Sequence, residues 1–323
     1  MDFIASHRKD STPESELQHC LRRQTSVDCR ATGKAKGKIA DSAFSEIKVL
    51  TILEQMNHFT DRFGKKVIVN NTTWRYYRLG TGAPIFWLTG GLRRAAFGFA
   101  FLEKLAARHT VIAPDYPPVQ TLEEFIHAFD VILQAEGVDT FVLACQSYGG
   151  MLAQAYLARK AKSVERLILS STGPADYGKA WLPAAYALIA LARLLPEQTV
   201  KRLLTGRLLK VMTLPAAEHG EWLEAIHAVL QDDLSRADVI SHLAVAADLI
   251  GKGIVTPAAY HDWKGRAFVL SAENDPTQSR KDVPRYERLL GRTVQVVKMG
   301  DMGHTALLFN PDKYVELFEQ ALA

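Results

Sequence analysis

From about residue 65 to residue 172 the chain alternates short, continuously apolar runs with longer stretches whose apolar residues recur at helical spacing. "APIFWLTGG", "HTVIAPDYP", "TFVLAC" and "VERLILSS" are of the first kind, and "FGFAFLEKLAAR" and "TLEEFIHAFDVILQAEG" of the second. A half-polar strand can face water on one side, whereas a strand that is apolar throughout has to be covered on both, and the alternating helices supply that cover. The pattern predicts an α/β fold, a mostly parallel sheet with helices on both faces. Thr121 marks the N-cap of the second helix and Gly137 its stop. Ahead of these, "KKVIVN" and "TWRYYRLG" predict a strand pair turning at Asn70 and Asn71.

The alternation stops after Thr172. Up to about His261 the chain is almost wholly helical in pattern, and it then resumes with "GRAFVLSAEND", "VPRYERLLG", "TVQVVKMG" and "PDKYVELFEQALA". A block of about ninety helical residues inside an α/β chain predicts an inserted layer of its own. The expected organisation is a disordered tail over residues 1–45, a first core segment over 46–172, a helical cap over 173–262 and a second core segment over 263–323. The first 40 residues are rich in Ser, Thr, Lys and Arg and show no sustained period. They lack the apolar centre of a secretory signal, and Asp2, Asp10, Glu14, Glu16 and Asp28 argue against a transit peptide. A start at Met56 is the alternative expectation for this stretch.

At 48% hydrophobic and 23% charged residues, the chain has material for a large core. Its net charge of +4 is concentrated in residues 1–40, which hold eight Lys/Arg against five Asp/Glu, so the remainder carries +1 and predicts no nucleic-acid partner. Cys20, Cys29 and Cys145 form neither a disulfide framework nor a metal-ligand pattern, and a reducing cytoplasm is the default expectation. The run "WLPAAYALIALARLLP" contains Arg193 and falls short of the roughly 20 residues of a bilayer span, so it is expected as a buried or surface-docked helix.

Ser147 stands between the run "VLAC" and a helical pattern, with Gly149 two residues after it and Cys145 two before. Small residues at those places suit a nucleophile held at a strained strand-to-helix turn; an N-cap serine is the alternative. A serine hydroxyl needs a base and a carboxylate to orient the base. Asp275 and His304 follow in that order, each at the end of an apolar run, where active sites of open α/β sheets are built. Asp176 is the second choice of acid, and Asp301 is expected as a solvated turn residue. Gly90 and Gly91 form an open loop, and the N–H groups of Gly91 and Tyr148 are the candidate oxyanion donors. Arg93 and Arg94 would face an anionic substrate or form a solvated loop. The loop lacks the phosphate-cradling patterns GxxxxGK[ST] and GxGxxG.

Over roughly residues 65–323 these features resemble the α/β-hydrolase superfamily. The residues that carry the resemblance are Thr89-Gly90-Gly91, Cys145-Gln146-Ser147-Tyr148-Gly149-Gly150, Glu273-Asn274-Asp275-Pro276, and Gly303-His304 followed by Pro311. The resemblance implies eight strands, a helical cap between the sixth and seventh, and hydrolysis without a cofactor. Two departures stand out: Thr89 where many members carry His, and Cys145 in place of the first elbow glycine. Serine rather than aspartate at position 147 argues against haloalkane dehalogenase and epoxide hydrolase chemistry. A weaker similarity, over "VIAPDYP" and the segment through "QSYGGMLAQAYLA", is to the maspardin branch and implies a binding or scaffold protein as the alternative. The expected partner is a small acyl substrate with an apolar group. Trp181, Tyr186 and Trp222 are expected either to line its pocket or to fill the core of the cap.

Overall fold

A computed structural model describes residues 50–212 and 219–323, within the unit Val49–Ala323. The expected tail, with Cys20 and Cys29, lies outside the described residues.

The strands are β1 (Gly64–Val69), β2 (Thr72–Leu79), β3 (Pro84–Leu88), β4 (Thr110–Pro114), β5 (Phe141–Gln146), β6 (Val164–Ser170), β7 (Arg266–Ala272) and β8 (Val294–Gly300). They form one sheet in the order β1-β2-β4-β3-β5-β6-β7-β8. β2 runs antiparallel to both β1 and β4, and every other pairing is parallel. The edge strand β1 carries exposed Lys65 and Lys66, which discourage pairing with another chain. Asn70 and Asn71 adopt φ of 49° and 64°, the left-handed pair a two-residue hairpin turn demands.

Each face of the sheet buries its own apolar layer. Helices Leu122–Ala135, Tyr148–Lys160 and Asp282–Leu290 cover one face; Ile52–Phe63, Phe99–Leu105 and Pro311–Leu322 cover the other. Thr121 closes a capping box with Glu124 at the start of Leu122–Ala135, and Gly137 lies just beyond its end at φ 67°. Helix Ile52–Phe63 was not expected from the sequence. It starts at the capping box of Thr51 and Glu54, and Ile52, Met56 and Phe59 pack inward.

Between β6 and β7 lie helices Leu182–Leu194, Glu197–Val211, His219–Ala228 and Arg236–Lys252, with no strand among the described residues. Arg236–Lys252 is fastened to the first layer. Asp248 accepts the Leu122 N–H at 2.9 Å, and Val245 and Leu249 enter the core beneath. Trp222 is buried against Phe309 at 5.2 Å between ring centres, so it fills core. Trp181 and Tyr186 behave otherwise: both are exposed, so neither fills the core of this region. Hydrophobicity alone does not say which side of a helix meets its neighbour.

Candidate active site

β5 ends at Gln146, and the chain turns so sharply into helix Tyr148–Lys160 that Ser147 takes φ 52°, ψ −119°. For a residue with a side chain this conformation costs on the order of 1–3 kcal/mol. The Ser147 N–H donates to Ser170 O at 3.0 Å and the Gly150 N–H to Ser147 O at 2.8 Å, holding the turn. Ser147 makes no side-chain cap for the helix, so the N-cap alternative does not describe its hydroxyl. The turn brings helix and β3 so close that a Cβ at Gly149 would stand 2.1 Å from Leu88 O and 2.6 Å from Thr89 O. Only glycine fits there. Cys145 is fully buried and its thiol is pushed up to about 12 by burial, so it is a small space-filler and no thiolate.

His304 and Asp275 arrive from the ends of β8 and β7, and their loops are tied together. The Asn274 side chain donates to Asp301 O and accepts the Gly303 N–H, both at 2.8 Å, and the Glu273 N–H donates to Gly300 O at 2.7 Å. The Gln146 side-chain amide donates to His304 O at 3.1 Å, locking the elbow to the histidine loop. His304 Nδ1 lies 3.0 and 3.1 Å from the two Asp275 oxygens, and its Nε2 lies 3.0 Å from Ser147 Oγ. A carboxylate only accepts, so Nδ1 carries the proton and Nε2 accepts from the serine hydroxyl. Burial pushes the Asp275 carboxyl up, but the hydrogen bond and electrostatic attraction of the His304 imidazole, with the Thr277 N–H and hydroxyl, outweigh it and hold the group below its usual range. It is charged at neutral pH.

Thr277 was not singled out in the sequence. Its hydroxyl lies 2.7 Å from Asp275 Oδ1 and 3.0 Å from His304 Nδ1, and its N–H donates to Asp275 at 2.8 Å. The short spacing Asp-Pro-Thr was the available signal. Asp176, the second choice of acid, instead pairs with Arg285 at the surface. Asp301 is exposed, as expected, and takes part through its backbone carbonyl.

The loop after β3 completes the constellation. Gly90 faces the elbow: a Cβ on it would stand 2.2 Å from Gln146 Oε1 and 3.4 Å from Ser147 Cβ. Among the described residues neither the Gly91 N–H nor the Tyr148 N–H donates to a backbone acceptor, and Tyr148 opens its helix, where N–H groups are unpaired. No group of three or more His, Cys, Asp or Glu side chains among the described residues is placed to hold a metal ion.

The model of the alpha/beta hydrolase family matches residues 80–317. The chain belongs to that family. Among solved structures it is similar to a thermophilic esterase from Thermogutta terrifontis, at 18% identity and TM-score 0.64, over 80% of this chain and 97% of the other. It is likewise similar to Cfl2 from Burkholderia cenocepacia, at 16% identity and TM-score 0.61, and to a haloalkane dehalogenase loop variant from Bradyrhizobium elkanii, at 15% and 0.58. Each of these two comparisons covers 80% of this chain and 94% of the other. At these identities the likeness shows the fold alone. No curated protein matches the chain in sequence.

In this α/β hydrolase Arg93 and Arg94 neither wait for an anion nor sit in a solvated loop; both are buried. Arg93, at φ 61°, donates to Tyr116 O at 3.3 Å, Pro117 O at 2.7 Å and Ser241 Oγ at 2.9 Å, and lies 3.4 Å from Asp238. Arg94 pairs with Asp233 at 2.5 Å. The pair fastens the glycine loop to helix Arg236–Lys252 and the residues before it.

That helix also delivers His242, which the sequence did not mark. Its ring stacks on Tyr148 with centres 3.8 Å apart and planes at 23°, and a Cβ at Gly91 would stand 3.4 Å from its Cε1. Burial, aided by the charge of Arg93, lowers the His242 pKa to about 3, so the ring is neutral in the folded hydrolase at neutral pH. Unfolded histidine titrates near about 6.5. As pH falls from about 6.5 toward 3 the unfolded chain takes up a proton that the folded one refuses, and stability declines. His242→Gln should therefore flatten the loss of melting temperature across that window; parallel profiles for the two proteins would contradict the neutral ring.

Proposed function

We propose that this hydrolase is a serine hydrolase that cleaves a carboxylic ester or related acyl bond through an acyl-enzyme. The observation that supports the reading best is the unbroken hydrogen-bonded line from Ser147 Oγ through His304 to Asp275. Ser147 Oγ attacks the acyl carbon as its proton passes to His304 Nε2, and Asp275 stabilises the imidazolium that forms. The N–H groups of Gly91 and Tyr148 receive the oxyanion, each donor contributing about 3 kcal/mol to the transition state. The tetrahedral intermediate collapses, His304 protonates the leaving group, and a water activated by the same imidazole then releases the acid. The helices between β6 and β7 act as the cap over this centre, and an apolar acyl or alcohol group is the substrate feature they would select.

A scaffold on the same fold has no use for a proton-transfer line of this geometry, which favours the enzyme over a maspardin-like binding role. The test is a series of p-nitrophenyl esters and acyl thioesters graded by chain length. The enzyme reading expects a rapid first turnover followed by a slower steady state, with a preference along the series. Hydrolysis of none of them would count against it.

A further inference from the structure

Helix Leu182–Leu194 contradicts the usual rule for a surface helix, which keeps its polar side toward water. Its inner side packs Leu182, Ala185, Ile189 and Ala192 against Ile240, Leu243, Ala244 and Ala247 of helix Arg236–Lys252. Its outer side is also apolar: Tyr186, Leu188, Leu191 and Leu194 are exposed, Leu194 by 83%. Trp181 just before the helix is 64% exposed, and Leu203 on the next helix is exposed as well. Among the described residues, seven of the ten exposed large hydrophobic ones fall between Tyr177 and Leu203. A patch of this kind marks a docking surface.

The charge that flanks this helix along the chain selects the occupant. Residues 178–212 contain six Lys/Arg and a single acid, Glu197, a net +5 where the whole chain carries +4. Glu197 pairs with the buried Lys201. Lys179, Arg193, Arg202, Arg207 and Lys210 are exposed and in no ion pair among the described residues. Two copies of the chain meeting through this patch would bring those like charges together. An anionic surface would instead neutralise them, and exposed Trp and Tyr rings beside an apolar helix suit the boundary between lipid headgroups and acyl chains. No helix among the described residues is long and apolar enough to cross a membrane, so the contact lies on the surface.

We infer that the apolar outer face of helix Leu182–Leu194, with Trp181 and the basic residues that flank it in sequence, docks this protein onto an anionic lipid bilayer. The docking stands independently of the proposed reaction. It would hold helix Arg236–Lys252, which carries His242 over the elbow, directly beneath the membrane-facing layer.

Trp181 provides a specific reporter, since the other four tryptophans are buried. The full chain is mixed with vesicles of phosphatidylcholine alone or with added phosphatidylglycerol, then sedimented, and its emission recorded. The expected result is a blue shift and co-sedimentation with the anionic vesicles, weakened by about tenfold or more on phosphatidylcholine alone and reduced by salt. Trp181→Phe should lose the shift. Leu191→Glu with Leu194→Glu should lose about tenfold or more of the binding at an unchanged melting temperature, because both positions already face water. Arg202→Glu with Arg207→Glu should abolish the preference for anionic vesicles. Binding to neither vesicle, or binding that survives the leucine substitutions, overturns the proposal. So does a lipid-free, concentration-dependent dimer that these substitutions disperse, since that would make a second copy the occupant.

Discussion

Ser147→Ala removes hydrolysis of a short p-nitrophenyl ester, lowering kcat by about 10^5- to 10^6-fold, while the melting temperature changes little. The size of the effect follows from the geometry. In the proposed reaction the Oγ atom is the attacking group, and among the described residues His304 Nε2 has its hydrogen bond, at 3.0 Å, to that hydroxyl. The oxyanion donors and the bound geometry would leave a residual rate above that in water, and nothing near the parent rate. The backbone strain at φ 52° is the same for alanine as for serine, so the fold neither gains nor loses much. Melting temperature and steady-state kinetics on the same preparations check both halves. A variant that folds and keeps activity within about tenfold of the parent would reject Ser147 as the nucleophile.

Arg93→Met should give the largest loss of stability. Methionine retains the length of the side chain but removes three hydrogen-bonding contacts and the positive charge facing Asp238. Asp238 is buried, and with Arg94 the remaining cation at 3.9 Å its Oδ1, which faces Arg93, would lose its nearest positive charge while Oδ2 keeps the capping bonds from Ser235. Breaking one side of a buried pair costs about 3–5 kcal/mol, on the order of 10 °C in melting temperature for a chain of this size. Turnover should fall as well, because the Arg93 N–H closes the turn onto Gly90 O at 3.0 Å and its side chain fastens that turn to Ser241. Adding Asp238→Asn should recover part of the stability: the orphaned charge disappears, while an amide oxygen can still cap helix Arg236–Lys252 at Ser235. Equal melting temperatures for Arg93→Met and the parent would show that the buried pair does not hold the loop to the helix.

The sheet and the order of its strands' chemistry were legible because they depend on local pattern. Continuously apolar runs became β3 to β7; Ser147 directly follows β5, Asp275 lies on the loop after β7 and His304 on the loop after β8. Thr277 and helix Ile52–Phe63 also carry local marks in the sequence, an Asp-Pro-Thr turn and the capping box Thr51 to Glu54. Arg93, Arg94 and His242 left none. Two adjacent arginines look solvated until their partners are known, and those partners, Asp233 and Ser241, lie 139 and 148 residues further along the chain. His242 is one residue of a helical stripe, and only the packing of that helix on Tyr148 gives it a place at the site. Trp181 and Tyr186 failed in the opposite direction: aromatic residues imply burial on average, and here they face solvent.

The central claim is that Ser147 is an activated nucleophile, and covalent labelling of the full chain with a fluorophosphonate probe tests it most directly. We expect one equivalent of probe on the peptide containing Ser147, formed rapidly at neutral pH and lost in Ser147→Ala. A correctly folded chain that remains unlabelled, or that carries its label on another residue, would contradict the account.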